Sequence, residues 1–540
     1  MRQGGIATVL IGLALVLMAM VAMRPLLPID ETRYLSVAWE MWLSNDPVHL
    51  TKNFESYTHK PPLLFWLINL VWLVTGVSEL AGRLVGPATA VAMVAATGAL
   101  ARLFWPEAPQ IAARAVAILS GFTVFLLFGS ATMFDALLSL ATLGGLAALW
   151  RIGTGQTSTG QTSTGQTSTG QASTGQAKAG QGARNWIYFG LALAFGIYAK
   201  GPVIFVHLMP ALLTLPLWAP QPPKLPTILR GFGLSLLVAL ALVALWLVPA
   251  LITGTPEFRT ELLWTQSAAR VAGGMAHDRP IWFLIALLPV LLFPWGYSLG
   301  LWQSLRGVWS AGPATRLCVI WGGSTLILFS LISGKQAHYL LPAFPAIALL
   351  FAHGLQSAPK TRSLAWLPLL LAASGFGAIG LGLIPAKADL APLSPVWPAL
   401  AFAILCLGLA AASLRLPLIQ GHILAGAGFA LGLHGVIATT ALYPAYDGRP
   451  MAGILAASAD EGLAVIDYSY NAEFNFIARM TTPVATPQTS EDLAAWAKAH
   501  PNGLIFGLKT NSLLTAEPQE TIHYIGKDWA IWPASVISRE

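Results

Sequence analysis

Residues 6–34 read IATVLIGLALVLMAMVAM-RPLLPI-DETRY, and this stretch decides the fold. Its first part, Ile6 to Met23, is a run of apolar residues long enough to cross a hydrocarbon core of about 30 Å as a helix. The run ends at Arg24 and Pro25. Five residues later an acid, a second acid, a base and an aromatic arrive together as Asp30-Glu31-Thr32-Arg33-Tyr34. A signal peptide would need a small-residue cleavage site after the apolar run, and none stands before Arg24, so Ile6–Met23 reads as a retained first span. The pattern of an apolar crossing followed by a polar motif at its exit recurs along the chain.

Working outward, the 540 residues are 55% hydrophobic and 10% charged, against roughly 25% charged in ordinary soluble domains. A backbone inside lipid must satisfy its own hydrogen bonds, so apolar runs of this length predict helices. Hydropathy predicts about thirteen spans: near 6–28, 82–104, 111–128, 132–150, 186–199, 202–218, 229–252, 281–303, 316–333, 339–357, 364–384, 396–414 and 420–443. With a cytoplasmic N-terminus, one set of loops collects Arg102, Arg114, Arg151, Lys178, Arg184, Lys224, Arg230, Arg306, Arg316, Lys360, Arg362 and Arg415, as the positive-inside bias requires. The net charge of +7 is explained by this sorting. Its bases are scattered between apolar runs, which argues against a nucleic-acid partner.

Three segments depart from the apolar pattern. Residues 31–81 form a loop on the outer side, where Tyr34, Val37, Ala38, Met41 and Trp42 recur at helical spacing and predict a helix lying in the interface. Residues 153–182 repeat Gly-Gln-Thr-Ser-Thr with a period of five and offer nothing to bury, which predicts a disordered cytoplasmic linker. Residues 444–540 lose the membrane hydropathy. There Leu463–Tyr468 and Gly503–Gly507 read as buried strands, and Ser490-Glu491-Asp492 opens a helix through Leu493, Trp496 and Ala497. The expected organisation is a polytopic α-helical membrane domain over 1–443, followed by a small α/β domain over 444–540 on the outer side.

Ionisable groups are costly near a bilayer, and in this chain they gather at span ends on one side. Asp30, Glu31 and Arg33 lie at the first exit, and Tyr57-Thr58-His59-Lys60-Pro61-Pro62 returns the same loop. Asp135 begins a span on that side, and Lys200-Gly201-Pro202 and Lys335-Gln336-Ala337-His338-Tyr339 end or begin others. Bases converging at one depth suit a lipid-linked phosphate, and a carboxylate beside them suits a general base or a stabiliser of oxocarbenium charge. Arg24 and Arg83 each stand alone at a span end and read as snorkelling markers of the interface.

The motifs Asp30–Tyr34, His59-Lys60-Pro61-Pro62, Phe134-Asp135, Lys200-Gly201-Pro202 and His338-Tyr339-Leu340-Leu341-Pro342 resemble, in order, the landmarks of the bacterial aminoarabinose transferases acting on lipid A. Those are GT-C glycosyltransferases, alongside the protein O-mannosyltransferases. The resemblance implies a GT-C fold and inverting transfer of a sugar from a polyprenyl-phosphate donor to an envelope acceptor, lipid A first, at the periplasmic face of the inner membrane. It implies Asp30 as the catalytic-loop acid and Asp135 as the second acid. Arg33, Lys60 and Tyr339 would engage the donor phosphate, and Lys200 is a further amine on that face. Glu31, His59 and His338 are possible site residues. Two positions depart from the family pattern: His59 stands where a Glu often precedes Lys-Pro-Pro, and Gln266-Ser267 replace a Glu-His pair. A divalent metal would then need His59 with His277 or His338. Transfer to protein hydroxyls, and transport of a polyprenyl-linked sugar, are the alternative readings; a transporter would place its ionisable groups nearer the bilayer midplane.

Overall fold

A computed structural model describes residues 4–155, 173–262, 279–357, 363–384, 393 and 395–539. The chain begins with α1 (Gly4–Ala22), then α2 (Asp30–Ser44) and a hairpin of β1 (Thr51–Lys52) and β2 (Glu55–Ser56). Next come α3 (Leu63–Thr75), α4 (Glu79–Phe104), α5 (Pro109–Gly121), α6 (Thr123–Gly129), α7 (Asp135–Thr154), α8 (Ser173–Lys200) and α9 (Val203–Leu213). The bundle is completed by α10 (Leu225–Thr253), α11 (Phe283–Leu291), α12 (Pro313–Leu331), α13 (Phe344–Gly354), α14 (Trp366–Gly380), α15 (Trp397–Arg415) and α16 (Leu418–Thr439).

Among the described residues, eight helical segments are long and apolar enough to span a membrane, or nine if α5 and α6, bent by 72° at their junction, form one crossing. Three shorter apolar helices, α3, α9 and α14, add to these. The expected count of about thirteen is therefore compatible with the bundle without being reached by long helices alone. Several expected spans are broken. Over 281–303 the chain forms α11, a 3₁₀ turn at Trp295–Tyr297 and a short helix Leu299–Ser304, because Pro294 cannot continue an α-helical hydrogen-bond ladder. Of the residues 153–182 read as a linker, those from Ser173 onward belong to α8, and residues 156–172 lie outside the described part.

Beyond the bundle, α17 (Arg449–Ala457) leads to β3 (Leu463–Ile466), α18 (Ser490–Ala499), β4 (Leu504–Leu508), β5 (Glu520–Tyr524) and β6 (Lys527–Pro533). The strands make one sheet of order β3-β4-β6-β5, with β3 and β4 parallel and the other pairs antiparallel. The two strands and the helix read from sequence are there. Thr489 caps α18 in a reciprocal capping box with Asp492, which satisfies orphan N–H groups of its first turn. Of the last two strands, β5 is mostly exposed and lacks an apolar signature, whereas β6 buries the run Trp529–Trp532, which the sequence reading did not assign.

This domain rests on α2. Ser36 Oγ donates to Ala472 O (2.7 Å), Phe476 N donates to Ser36 Oγ (3.0 Å) and Trp39 Nε1 donates to Met480 O (2.9 Å). Glu40 accepts from the backbone N–H of Asn53 and Phe54, both 2.8 Å, and from Asn475 Nδ2 at 3.2 Å. Of the expected apolar face of α2, Tyr34, Val37, Ala38 and Met41 are buried and Trp42 is half-buried, while Ser36 and Glu40 on its polar side are buried as well. The helix is thus enclosed between bundle and C-terminal domain.

Candidate active site

Helices α7 and α8 are consecutive and pack antiparallel, so the first residue of α7 meets the last residue of α8. These residues are Asp135 and Lys200. A carboxylate at a helix N-terminus and an ammonium at a C-terminus each complement the helix dipole. Lys200 Nζ donates to Asp135 Oδ1 at 2.7 Å, with the Asp135 side chain 3% exposed. His338 and Tyr339 enter from the 3₁₀ turn before α13. His338 Nε2 stands 3.9 Å from Asp135 Oδ2, and Lys200 Nζ lies 4.6 Å from the Tyr339 ring centroid.

The first loop supplies the other half. Arg33, one turn into α2, pairs with Asp30, whose side chain is 45% exposed and so the more open of the two acids. Tyr34, Phe65 and Phe134 pack edge to face with centroids 4.9 to 6.2 Å apart, and Tyr57 joins them through Phe65. On this aromatic platform sit the Arg33 guanidinium, 5.4 Å from the Tyr34 ring centroid, and the Lys60 ammonium, 5.7 Å from that of Phe134. Lys60 is pushed down to about 8, chiefly by burial and secondly by the neighbouring Lys200, while Asp135 and Asp30 act in the opposite sense. Burial likewise raises the Tyr57 phenol to about 12, against the pull of Arg33. Among the described residues Arg33 Nε, Tyr57 Oη and Thr58 Oγ1 are buried without a hydrogen-bond partner, an arrangement that suits an oxygen-rich ligand.

The structure therefore brings Asp30, Arg33, Lys60, Asp135, Lys200, His338 and Tyr339 to one end of the bundle. Glu31 belongs elsewhere. Its two oxygens accept from Arg24, with Nη2 to Oε1 at 2.9 Å, and also from the N–H groups of Leu27 (3.0 Å) and Thr132 (2.8 Å). Arg24 further donates to Ser130 O, and Arg83 donates to Val21 O, Arg24 O and Glu79. Arg24 and Arg83 are 2% and 4% exposed. The reading of both as snorkelling markers is thus corrected: they staple α1, α2, α4 and the turn before α7 through a buried ion pair. Gly86 lets α4 approach that turn, since a Cβ there would stand 2.3 Å from Ala131 O.

His59 stacks on Tyr57 at 5.5 Å, and burial lowers its proton affinity. Among the described residues no three His, Cys, Asp or Glu side chains form a metal-binding group, and one oxygen of Asp135 is occupied by Lys200. Among the described residues His59 and His338 belong to no such group; Gln266, Ser267 and His277 lie outside the described residues.

Sequence reading missed the contribution of the C-terminal domain. Arg33 Nη1 donates to Asn471 Oδ1 (3.4 Å) and Lys52 Nζ donates to Tyr470 O (3.3 Å). Glu473 holds this turn by accepting from Asn471 N (2.8 Å) and Tyr468 Oη (3.0 Å). With 438 positions between Arg33 and Asn471, no local signal announces the contact.

No protein-family model matches the sequence. Curated relatives do. An undecaprenyl phosphate-alpha-4-amino-4-deoxy-L-arabinose arabinosyl transferase of Pseudomonas paraeruginosa is 28% identical over 361 residues, 66% of this chain and 59% of that protein. A protein of the same name from Enterobacter sp. is 25% identical over 365 residues, 66% of this chain and 60% of its own length. The chain thus aligns with less than two thirds of these relatives. Among solved structures, ArnT from Cupriavidus metallidurans matches in its apo state with a TM-score of 0.73 and 18% identity over 99% of both chains. Its form bound to undecaprenyl phosphate matches equally, at 17% identity. The archaeal oligosaccharyltransferase AglB from Archaeoglobus fulgidus matches at a TM-score of 0.51 and 14% identity over 93% of this chain and 69% of its own. The chain is a multi-span membrane protein that shares the GT-C fold of ArnT and is similar in sequence to the aminoarabinose transferases.

Proposed function

We propose that this protein is an inverting glycosyltransferase that moves 4-amino-4-deoxy-arabinose from undecaprenyl phosphate to lipid A at the periplasmic face of the inner membrane. The observation that carries the reading is the cluster of Arg33, Lys60 and Lys200 around two carboxylates, with orphaned buried donors beside it, on a fold shared with a structure bound to undecaprenyl phosphate. The acceptor oxygen attacks the anomeric carbon as the bond from that carbon to the lipid-phosphate oxygen breaks. The departing lipid phosphate gains one negative charge. Arg33, Lys60 and Lys200 are the groups to neutralise it, and charge stabilisation of this kind is worth about 10²–10³ in rate per donor.

The carboxylates divide the remaining work. Asp135, buried and bonded to Lys200, orients that ammonium. Asp30, 45% exposed and paired with Arg33, is the acid an acceptor can reach; it removes a proton from a hydroxyl acceptor and positions a phosphate acceptor that has none to give. The reading is tested by mass spectrometry of lipid A from cells lacking the protein, complemented with wild type, Asp30→Asn or Asp135→Asn. An aminoarabinose mass restored by wild type alone supports it. Full restoration by both variants refutes the assigned chemistry, and an unchanged lipid A with an altered glycoprotein mass moves the acceptor to protein.

A further inference from the structure

A groove outside the proposed reaction centre opens between three helices. Helices α7, α8 and α10 enclose a groove of about 970 Å³. Small residues open it along α7, where Ala141, Gly144 and Ala147 form its floor. From Arg184 to Tyr198 it follows α8 for about 21 Å at 1.5 Å per residue, enough for an acyl chain filling one leaflet of about 15 Å. Its two ends differ. At the end near the active site, Tyr198 packs against Trp66 and Trp246 and its hydroxyl donates to Leu242 O at 2.6 Å. At the far end stand Arg151 and Arg184.

Among the described residues neither arginine meets an acid. The sequence contains no Asp or Glu between Asp135 and Glu257, so the three helices of the groove and their connections carry bases only once Asp135 is passed. Among the described residues no carboxylate lies within ion-pairing distance of either guanidinium. Arg184 is steered by its neighbour, with Nε donating to Tyr188 Oη at 2.7 Å. An apolar trough ending in unneutralised guanidinium groups at the depth of a headgroup matches the chemistry of an anionic phospholipid.

We infer that the groove between α7, α8 and α10 holds an anionic diacyl phospholipid of the leaflet opposite the active site, its phosphate on Arg151 and Arg184 and one acyl chain along Gly144. The donor's polyprenyl chain is the competing occupant, but its phosphate belongs at the Lys200 end, where the groove presents aromatic rings and no cation of its own. The test is native mass spectrometry of the whole protein released from nanodiscs of phosphatidylglycerol and phosphatidylcholine in equal parts. Wild type is expected to retain phosphatidylglycerol selectively. Arg151→Ala with Arg184→Ala should cut that retention roughly 30-fold. Gly144→Leu, which fills the trough without touching charge, should reduce retention of both lipids. Equal retention of the two lipids by wild type, or undiminished phosphatidylglycerol on the double variant, overturns the inference. Displacement of the bound lipid by undecaprenyl phosphate, with Gly144→Leu weakening donor binding, assigns the groove to the donor and also overturns it.

Discussion

Replacing Glu31 by glutamine separates two roles that the DETRY motif holds side by side. Glu31 and Arg24 are both 2% exposed in their side chains, and four hydrogen bonds converge on the two carboxylate oxygens. Glutamine keeps one acceptor but turns an NH₂ toward donors and removes the charge that compensates Arg24. Breaking a buried pair from one side costs about 3–5 kcal/mol, because the surviving charge stays desolvated. Arg83, which bonds the carbonyl of Arg24, loses the same counter-charge. The assay is the thermal unfolding of detergent-purified variants, paired with the rate of sugar transfer by the fraction that remains folded. Glu31→Gln should unfold well below wild type and transfer at a near-normal rate per folded molecule. Asp30→Asn should do the reverse. A Glu31→Gln protein that melts with wild type yet transfers no sugar would refute the reasoning and return Glu31 to the reaction centre.

Other consequences are open to direct measurement. Lys60, held down to about 8, is charged below that value and neutral above it, so donor-phosphate affinity should fall as pH rises through about 8 toward 9; Lys60→Arg, permanently charged, should flatten the profile, and an unchanged slope would remove Lys60 from the phosphate site. Asp135→Asn frees Lys200 from its 2.7 Å anchor and should lower kcat/KM by about 10²-fold or more in a transfer assay, whereas parity with wild type would leave Lys200 without a role. Asn471→Ala should raise the KM for donor several-fold with little change in kcat, since Asn471 orients Arg33 and touches no reacting atom; an equal loss in kcat would point to collapse of the docked domain. Gly86→Ala drives a methyl into Ala131 O and should destabilise the junction before α7 by about 1–3 kcal/mol, read as a lower melting point.

What the sequence alone determined is whatever depends on short-range pattern. Apolar runs specify spans because lipid leaves the backbone no other hydrogen-bond partners, and the start of α7 at Asp135 and the end of α8 at Lys200 follow from where those runs stop. Charges that cannot enter the bilayer collect at its edges, so the meeting of Asp30, Lys60, Asp135, Lys200 and Tyr339 at one depth was legible as well. The same logic read the capped helix α18 and the strands β3 and β4. It failed where a residue's role depends on a distant partner. Glu31 and Asp30 are adjacent acids on one helix; only the positions of Arg24 and Thr132 make one a buried staple and leave the other open to the site. Arg24 and Arg83 stood alone in sequence because their partners include backbone carbonyls, which carry no side-chain signature. The docking of Asn471 on Arg33, and the groove whose arginines find no acid, arise from packing between segments that hydropathy treats as independent. Pattern sets which residues must leave the lipid and at which end, and tertiary packing decides which of them are neutralised there and which keep a charge for a ligand.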